Sequence, residues 1–424
     1  MNMEMLFSPS EKRLIRILAH AESPWDIFVS KPDFKESIPE VPSRTKYLEE
    51  ITELFTDTQN SLIIPLTSDI GVGKTHFLWA INEAVLVDYI TLFFKMPSAN
   101  SSFYYSLYTQ VIKSMDKDTF QNIFSLLTDS WGANQKIYGL FRIGSGEKIA
   151  EIIESTKKLY KDTTKNPDEL GDCISIIVKY SMDRNKYKIC ERWILGDNIN
   201  FDDLLYIGVK RDLSAPNMAK EMLKLILQGL KSSIVIMIDD FLKAATRYDE
   251  EIIESYFDDN FDEFEDEFDS ESSENHHNNY IILEETAPIQ SKKEEEPQLP
   301  IYERLKEMIS DFTGIKLILT MHLEELDPFF KKIPEELKQR VNAPFVLQPF
   351  TQADFKWFYI ESMNRFCRNH GLRNISENPY FPLNETLLNT IYEKCNGNPR
   401  MMIKQLKSVT EVFLKNIIER FSDA

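Results

Sequence analysis

Five short runs of apolar and β-branched residues constrain this chain more than any other feature. They are SLIIPLT (61–67), DYITLFFKM (88–96), SSIVIMID (232–239), IKLILTM (315–321) and PFVLQPF (344–350). A strand with one face in water alternates apolar and polar residues, and these runs do not. Continuous runs of this length, separated by stretches with apolar residues three and four apart, predict strands of a parallel sheet covered on both faces. The expected fold class is α/β: a five-stranded parallel sheet flanked by helices.

Two insertions interrupt the series. In 97–231 the stretches FYYSLYTQVIKSM, KIAEIIESTKKLYKD and PNMAKEMLKLILQGL predict a helical insertion. The second, 248–300, carries most of the chain's charge. Asp249 to Glu296 holds 19 acids and 2 lysines, a net of −17 out of −19 for the whole chain, which leaves −2 for everything else. The overall acidity therefore does not describe the folded part. High charge of one sign with few aliphatics predicts disorder in 248–300, with its phenylalanines and tyrosines as candidate anchors for a protein partner.

After Phe350 the pattern turns helical, and 351–424 predicts a three-helix domain. Thr351 with Asp354 forms a candidate capping box, and Pro399 after Gly397 fits one helix ending and another starting. Residues 1–39 are expected to be an N-terminal helical extension, and 40–350 the core. No apolar run approaches the about 20 residues that span a bilayer, so no membrane association is expected. The N-terminus lacks a signal-peptide layout. Cys173, Cys190, Cys367 and Cys395 lie far apart with no CxxC pair, which suggests neither a zinc knuckle nor a disulfide framework. A cytoplasmic, reduced protein is expected.

The chemistry sits in TSDIGVGKTHFL (67–78), between the first strand and a helix predicted over 74–87. In a P-loop, GxxxxGK[ST], successive backbone amides wrap phosphates, the lysine neutralises the β/γ charge and the hydroxyl holds magnesium. Here Ser68 stands where the first glycine would be. The candidate loop is Ser68, Asp69, Ile70, Gly71, Val72, Gly73, Lys74, Thr75 and His76, with ATP and Mg2+ as its expected ligands. Serine at 68 is compatible provided its φ stays in an allowed region. A solvated turn is the alternative.

IVIMIDDF places Asp239 and Asp240 at the C-terminal tip of a strand, where ligands bind in open α/β sheets. Asp239 is the candidate support, through water, for a magnesium ion on Thr75. Asp240 is the candidate base that orients and deprotonates an attacking water. An ordinary strand-ending turn is the alternative for the pair.

The order GVGKT, a strand, IMIDD, LILTM, ELKQRVNAPFVLQPFT and GNPRMMIKQL resembles AAA+ ATPases, nearest to the origin-recognition, initiator and STAND-like clade. VPSRTKYLEEITELF (41–55) is similar to the segment of that clade that precedes the P-loop and packs by the adenine. The resemblance covers roughly 40–424 apart from the acidic insertion. A further likeness, over about 71–240, is to the ATP-binding domains of BREX-type phage-defence ATPases. It is carried by GVGKTHFL and by RWILGD, DLLYIGVKRDL and AKEMLKLILQGL.

The AAA+ resemblance implies roles position by position. Thr320 matches the sensor-1 position that holds the attacking water or γ-phosphate, with His322 as a neighbour. Arg340 in LKQRV lies in the arginine-finger region, which in the family points into the neighbouring subunit's site. Arg400 in GNPR matches sensor 2, reaching from a C-terminal lid, and Arg44 is a candidate nucleotide contact. Two departures bear on function. Asp239-Asp240 stands where the family has Asp-Glu, and the shorter carboxylate favours slow turnover and a switch. Only about twenty residues follow Arg400, so no winged helix is seen, although contact with DNA stays open. The resemblance implies a slow ATPase acting as a homo-oligomeric switch or remodeller, in DNA replication, genome maintenance or mobile-element defence. A scaffold that binds ATP without turnover, and a small-molecule kinase, remain as alternatives.

Overall fold

The computed structural model describes residues 7–25, 40–99, 101–132, 145–161, 164–230, 233–268, 298–373 and 375–422. Its centre is a five-stranded, all-parallel sheet flanked by helices. The strands are β1 (Leu62–Ser68), β2 (Ile90–Phe93), β3 (Ile234–Ile238), β4 (Ile315–His322) and β5 (Phe345–Val346), in the order β2-β3-β4-β1-β5. All five lie within the runs expected from sequence or a residue beyond them. The last is much shorter than 344–350 because Pro344 and Pro349 bracket it, and proline has no N–H to give to a ladder.

Residue-by-residue alternation buries both faces. On one side Ile64, Leu66, Val235, Met237 and Ile318 pack against Phe77, Leu78 and Ile81 of the Lys74–Val85 helix. On the other, Ile63, Ile236, Leu317 and Leu319 join the core shared with the helical insertion. Each such side chain contributes about 1.5–3 kcal/mol when fully buried. The β1–β4 register pairs Leu66 with Thr320 and Ser68 with His322. The C-terminal tips of β1, β3 and β4 therefore lie side by side.

The insertion is helical, as its periodicity predicts, at Phe103–Ser114, Ser145–Tyr160 and Met218–Gly229. Four further helices are Lys117–Ser130, Pro167–Met182, Tyr187–Ile194 and Phe201–Ile207. Pro167–Met182 buries Cys173, Ile174, Ser175, Ile176, Ile177 and Val178 in succession, so it lacks the polar stripe that marks a surface helix.

The expected disorder from 248 onward is corrected at its start. A helix runs Phe241–Phe268, and Tyr248 and Ile252 are buried in the core. Asp249 Oδ1 also accepts the Ile301 N–H over 2.9 Å, fixing the point where the chain returns. These two apolar anchors, four residues apart, outweigh the local acidity. Residues 269–297 lie outside the described residues, as do 26–39 of the expected N-terminal extension.

The C-terminal segment forms three helices, Gln352–Asn369, Glu385–Cys395 and Pro399–Ser422, and the Thr351–Asp354 capping box is present. The first helix of the chain, Pro9–His20, starts at a Ser8–Glu11 capping box and buries Leu14, Ile15 and Leu18 in the same apolar cluster. Gly397 has φ +73°, and a Cβ there would meet Phe350 O at 2.4 Å. Only glycine lets the last helix begin this close to the end of the core. The four cysteines are buried and unbridged. Among the described residues no helix is long and apolar enough to cross a membrane.

Candidate functional site

β1 ends at Ser68, and the chain turns through Asp69 and Ile70, both exposed, before the helix that starts at Lys74. Ser68 is part of the strand and is not among the residues with positive φ, so a glycine is not needed there. Gly71 does need to be glycine. Its φ is +81°, and a Cβ would meet Asn398 Oδ1 at 2.8 Å and Arg400 Cβ at 3.0 Å. Val72 is anchored in the apolar core beneath the loop.

The loop presents cationic and donor groups to one side. Among the described residues no acceptor takes the backbone N–H of Gly71, Gly73, Lys74 or Thr75, which is the usual state of a helix start and an anion-binding arrangement. Lys74 is 7% exposed. Its Nζ donates to Ser68 O over 3.2 Å and lies 3.4 Å from both Ser68 Oγ and His322 Nδ1. Burial holds the Lys74 amine below its usual value, and Asp240, Asp239, Glu325 and Asp69 act in the opposite direction.

The two acids arrive on a different strand. Thr75 Oγ1 donates to Asp239 Oδ2 over 2.6 Å. Thr320, fully buried at the tip of β4 between β1 and β3, donates its hydroxyl to Asp239 Oδ1 and accepts the Asp240 N–H over 2.9 Å. Asp239 is thereby aimed by two hydroxyls. Asp240 is exposed at φ +47°, starts the Phe241–Phe268 helix and lines the same cavity as Lys74. Thr320 thus meets the two acids and not the cavity, whose β4 wall is His322.

That cavity has a volume of about 550 Å³, within the range of small-molecule sites. Its floor is Gly71–His76, and its far wall comes from the C-terminal segment through Phe358, Pro399, Arg400 and Ile403. A larger hollow, about 770 Å³, lies in the helical insertion beside Tyr180 and the start of the Tyr187–Ile194 helix, but it gathers no strand tips and lies away from the Gly71–Thr75 loop.

Arg44 lines the cavity while its guanidinium is already engaged. It donates to Val72 O over 2.6 Å and to Gln348 O over 3.1 Å, and it lies 4.7 Å above the Phe350 ring. Glu40, almost fully buried, sits 3.9 Å from Arg44 and 3.8 Å from His76 Nδ1. Burial pushes the Arg44 pKa down, with Glu40 and Asp354 opposing.

Arg340 is not brought to this site. It follows the Glu335–Lys338 helix, is exposed, and donates to Asn60 Oδ1 over 2.8 Å just ahead of β1. That is the opposite end of the strand from Lys74. Sequence reasoning missed Asn398 and Glu40: a lone Asn after glycine reads as a helix cap, and an acid before Val-Pro reads as a turn.

The oxygen donors Thr75 Oγ1 and Asp239 Oδ2, with Asp240 beside them, suit a hard divalent cation such as Mg2+. Among the described residues no group of three or more His, Cys, Asp or Glu side chains is placed to hold a metal. Comparison with protein-family models finds no matching family. Comparison with curated proteins finds no matching sequence.

Proposed function

We propose that this chain binds ATP with magnesium at Ser68–Thr75 in a P-loop, and that it hydrolyses ATP slowly as an AAA+-type oligomeric switch. The three C-terminal helices serve as its lid. One observation carries the reading: the Thr75–Asp239 hydrogen bond joins the start of one helix to the tip of a separate strand beside Lys74. A chance GKT turn would have no reason to meet a second strand's carboxylate at that point.

On this reading Lys74 and the amides of Gly71 and Gly73 hold the phosphates, and Arg400 approaches them from the lid side. Thr75 and Asp239 would hold magnesium, which neutralises phosphate charge when bound. Asp240 takes a proton from water as the water oxygen attacks the terminal phosphorus, and the bond to the bridging oxygen breaks with its electron pair leaving on ADP. Thr320 acts by aiming the Asp239 carboxylate and holding the Asp240 backbone.

The rate should be low in a lone subunit, because Arg340 sits at the far end of β1 and any second cation from it must come from a neighbour. A scaffold that binds ATP without turnover is the second reading. It is favoured by Asp240, whose backbone is tied to Thr320 and whose carboxylate is short. The assembly, a partner on the acidic segment, and a role in genome maintenance or mobile-element defence rest on the family resemblance. Phosphate release from ATP without any added acceptor, lost in Asp240→Asn, is the expected result. Phosphoryl transfer to a small molecule in its place would contradict the proposal and support the kinase.

A further inference from the structure

Three consecutive carbonyls of the loop are each held by a donor from outside it. Asn398 Nδ2 donates to Ile70 O over 2.8 Å, the Arg400 N–H to Gly71 O over 3.1 Å, and Arg44 Nη2 to Val72 O over 2.6 Å. Two of the three donors belong to the first residues around the start of the last helix.

Asn398 uses both ends of its amide. Its Oδ1 accepts the Met401 N–H over 3.2 Å, capping the Pro399–Ser422 helix, while Nδ2 reaches the loop. The orientation is fixed by the partners, since a backbone N–H can only donate and a carbonyl can only accept. The fit is close enough that a Cβ at Gly71 would collide with Asn398 Oδ1.

We propose that Asn398 is a positioning residue that couples the loop's readiness for phosphate to the seating of the C-terminal helices, an inference that rests on the nucleotide-binding reading. The physical link is the rigid peptide unit. The Ile70 carbonyl and the Gly71 N–H belong to one plane, as do the Val72 carbonyl and the Gly73 N–H. Holding the two carbonyls therefore fixes the two amides that would meet phosphate. The coupling is reciprocal, because a ligand that orders these amides stabilises the seated last helix by the same free energy.

Asn398→Ser separates the two jobs of this side chain. Serine caps a helix as well as asparagine does, but it is too short to reach Ile70 O and adds no charge near the phosphates. The expected result is a ligand-free melting temperature close to wild type with magnesium-ATP bound about fivefold to tenfold more weakly, the effect of one lost hydrogen bond. Hydrogen exchange adds a readout that a merely structural role would not move. ATP should slow exchange at the start of the last helix in wild type and fail to do so in Asn398→Ser. Affinity within about twofold of wild type, or ATP protection that persists in the variant, would overturn the proposal while leaving the nucleotide site standing. A fall in ligand-free stability with affinity intact would overturn it equally, by making Asn398 a cap only. If wild type binds no ATP, the nucleotide reading fails and this proposal fails with it.

Discussion

Thr75, the second residue of the helix after β1, gives its hydroxyl hydrogen to Asp239 just beyond β3 over 2.6 Å. The two residues are 164 positions apart in sequence. β4 lies between their strands, and its Thr320 takes the other carboxylate oxygen. Their meeting sets a hydroxyl and a carboxylate, oxygen donors of the kind a hard divalent cation accepts, in one corner behind Thr75 and beside Lys74.

If that corner holds magnesium, Asp239→Asn should remove most of the cation's effect. Wild type is expected to bind ATP at least about tenfold more tightly with magnesium than with a chelator, a gain of roughly 1.4 kcal/mol. The amide keeps an acceptor for Thr320, so the fold should survive. Titrations with and without magnesium check this, and an undiminished magnesium effect in the variant would place the ion elsewhere.

Asp240→Asn should leave ATP binding within a few-fold of wild type and abolish turnover, since a neutral amide cannot take the proton. A steady-state phosphate assay beside a binding titration separates the two. Wild type that binds but never turns over, at any protein concentration, would hand the account to the scaffold reading.

Lys74 supplies a pH dependence with a definite sign. Burial lowers its pKa from the ordinary 10.5, so at alkaline pH the empty site holds less than a full proton on the amine. Phosphate favours the charged form, so binding should draw a proton in, and affinity should fall as pH rises through the lowered pKa. Calorimetry in buffers of different ionisation enthalpy should show proton uptake that grows with pH. No uptake anywhere on the alkaline side up to the ordinary 10.5 would mean the amine does not face the ligand.

The parallel sheet was legible because its strands are continuous apolar runs, and the Gly73–Lys74–Thr75 cluster announced the loop. What stayed hidden depends on contacts distant in sequence. Nothing in VPSR says that Arg44 spends its guanidinium on the carbonyls of Val72 and Gln348. The acidity after Asp249 masked the buried Tyr248 and Ile252, so a helix was read as disorder. Thr320 was expected to face the ligand; that its hydroxyl also bonds the Asp239 carboxylate and the Asp240 N–H follows from the strand order and could not be read from LILTM. Arg340 shows the converse limit: the fold places it beside Asn60, at the far end of β1 from Lys74, and only in the proposed assembly would the surface that uses it lie on another subunit.

That last point is testable. An arginine finger is worth roughly 10³–10⁵ in rate. Turnover per subunit should therefore rise with protein concentration, and Arg340→Ala should lower it with little change in ATP binding. Mixing Arg340→Ala chains with Lys74→Ala chains should restore part of the rate, each lending what the other lacks. Turnover independent of concentration, without rescue, would mean that Arg340 serves only its bond to Asn60.

The most direct test of the account is calorimetric titration of wild type and Lys74→Ala with magnesium-ATP, alongside their melting temperatures. Among the described residues the Lys74 ammonium hydrogen-bonds to Ser68 and His322 alone, so its loss should move the ligand-free melting temperature by no more than a few degrees. A charged hydrogen-bonding group is worth about 1.5–3 kcal/mol to a ligand. Wild type should thus bind at one site per chain, and the variant at least about tenfold more weakly. Equal affinity in the two proteins, or no saturable binding by wild type, would contradict the assignment of Ser68–Thr75 as a nucleotide site.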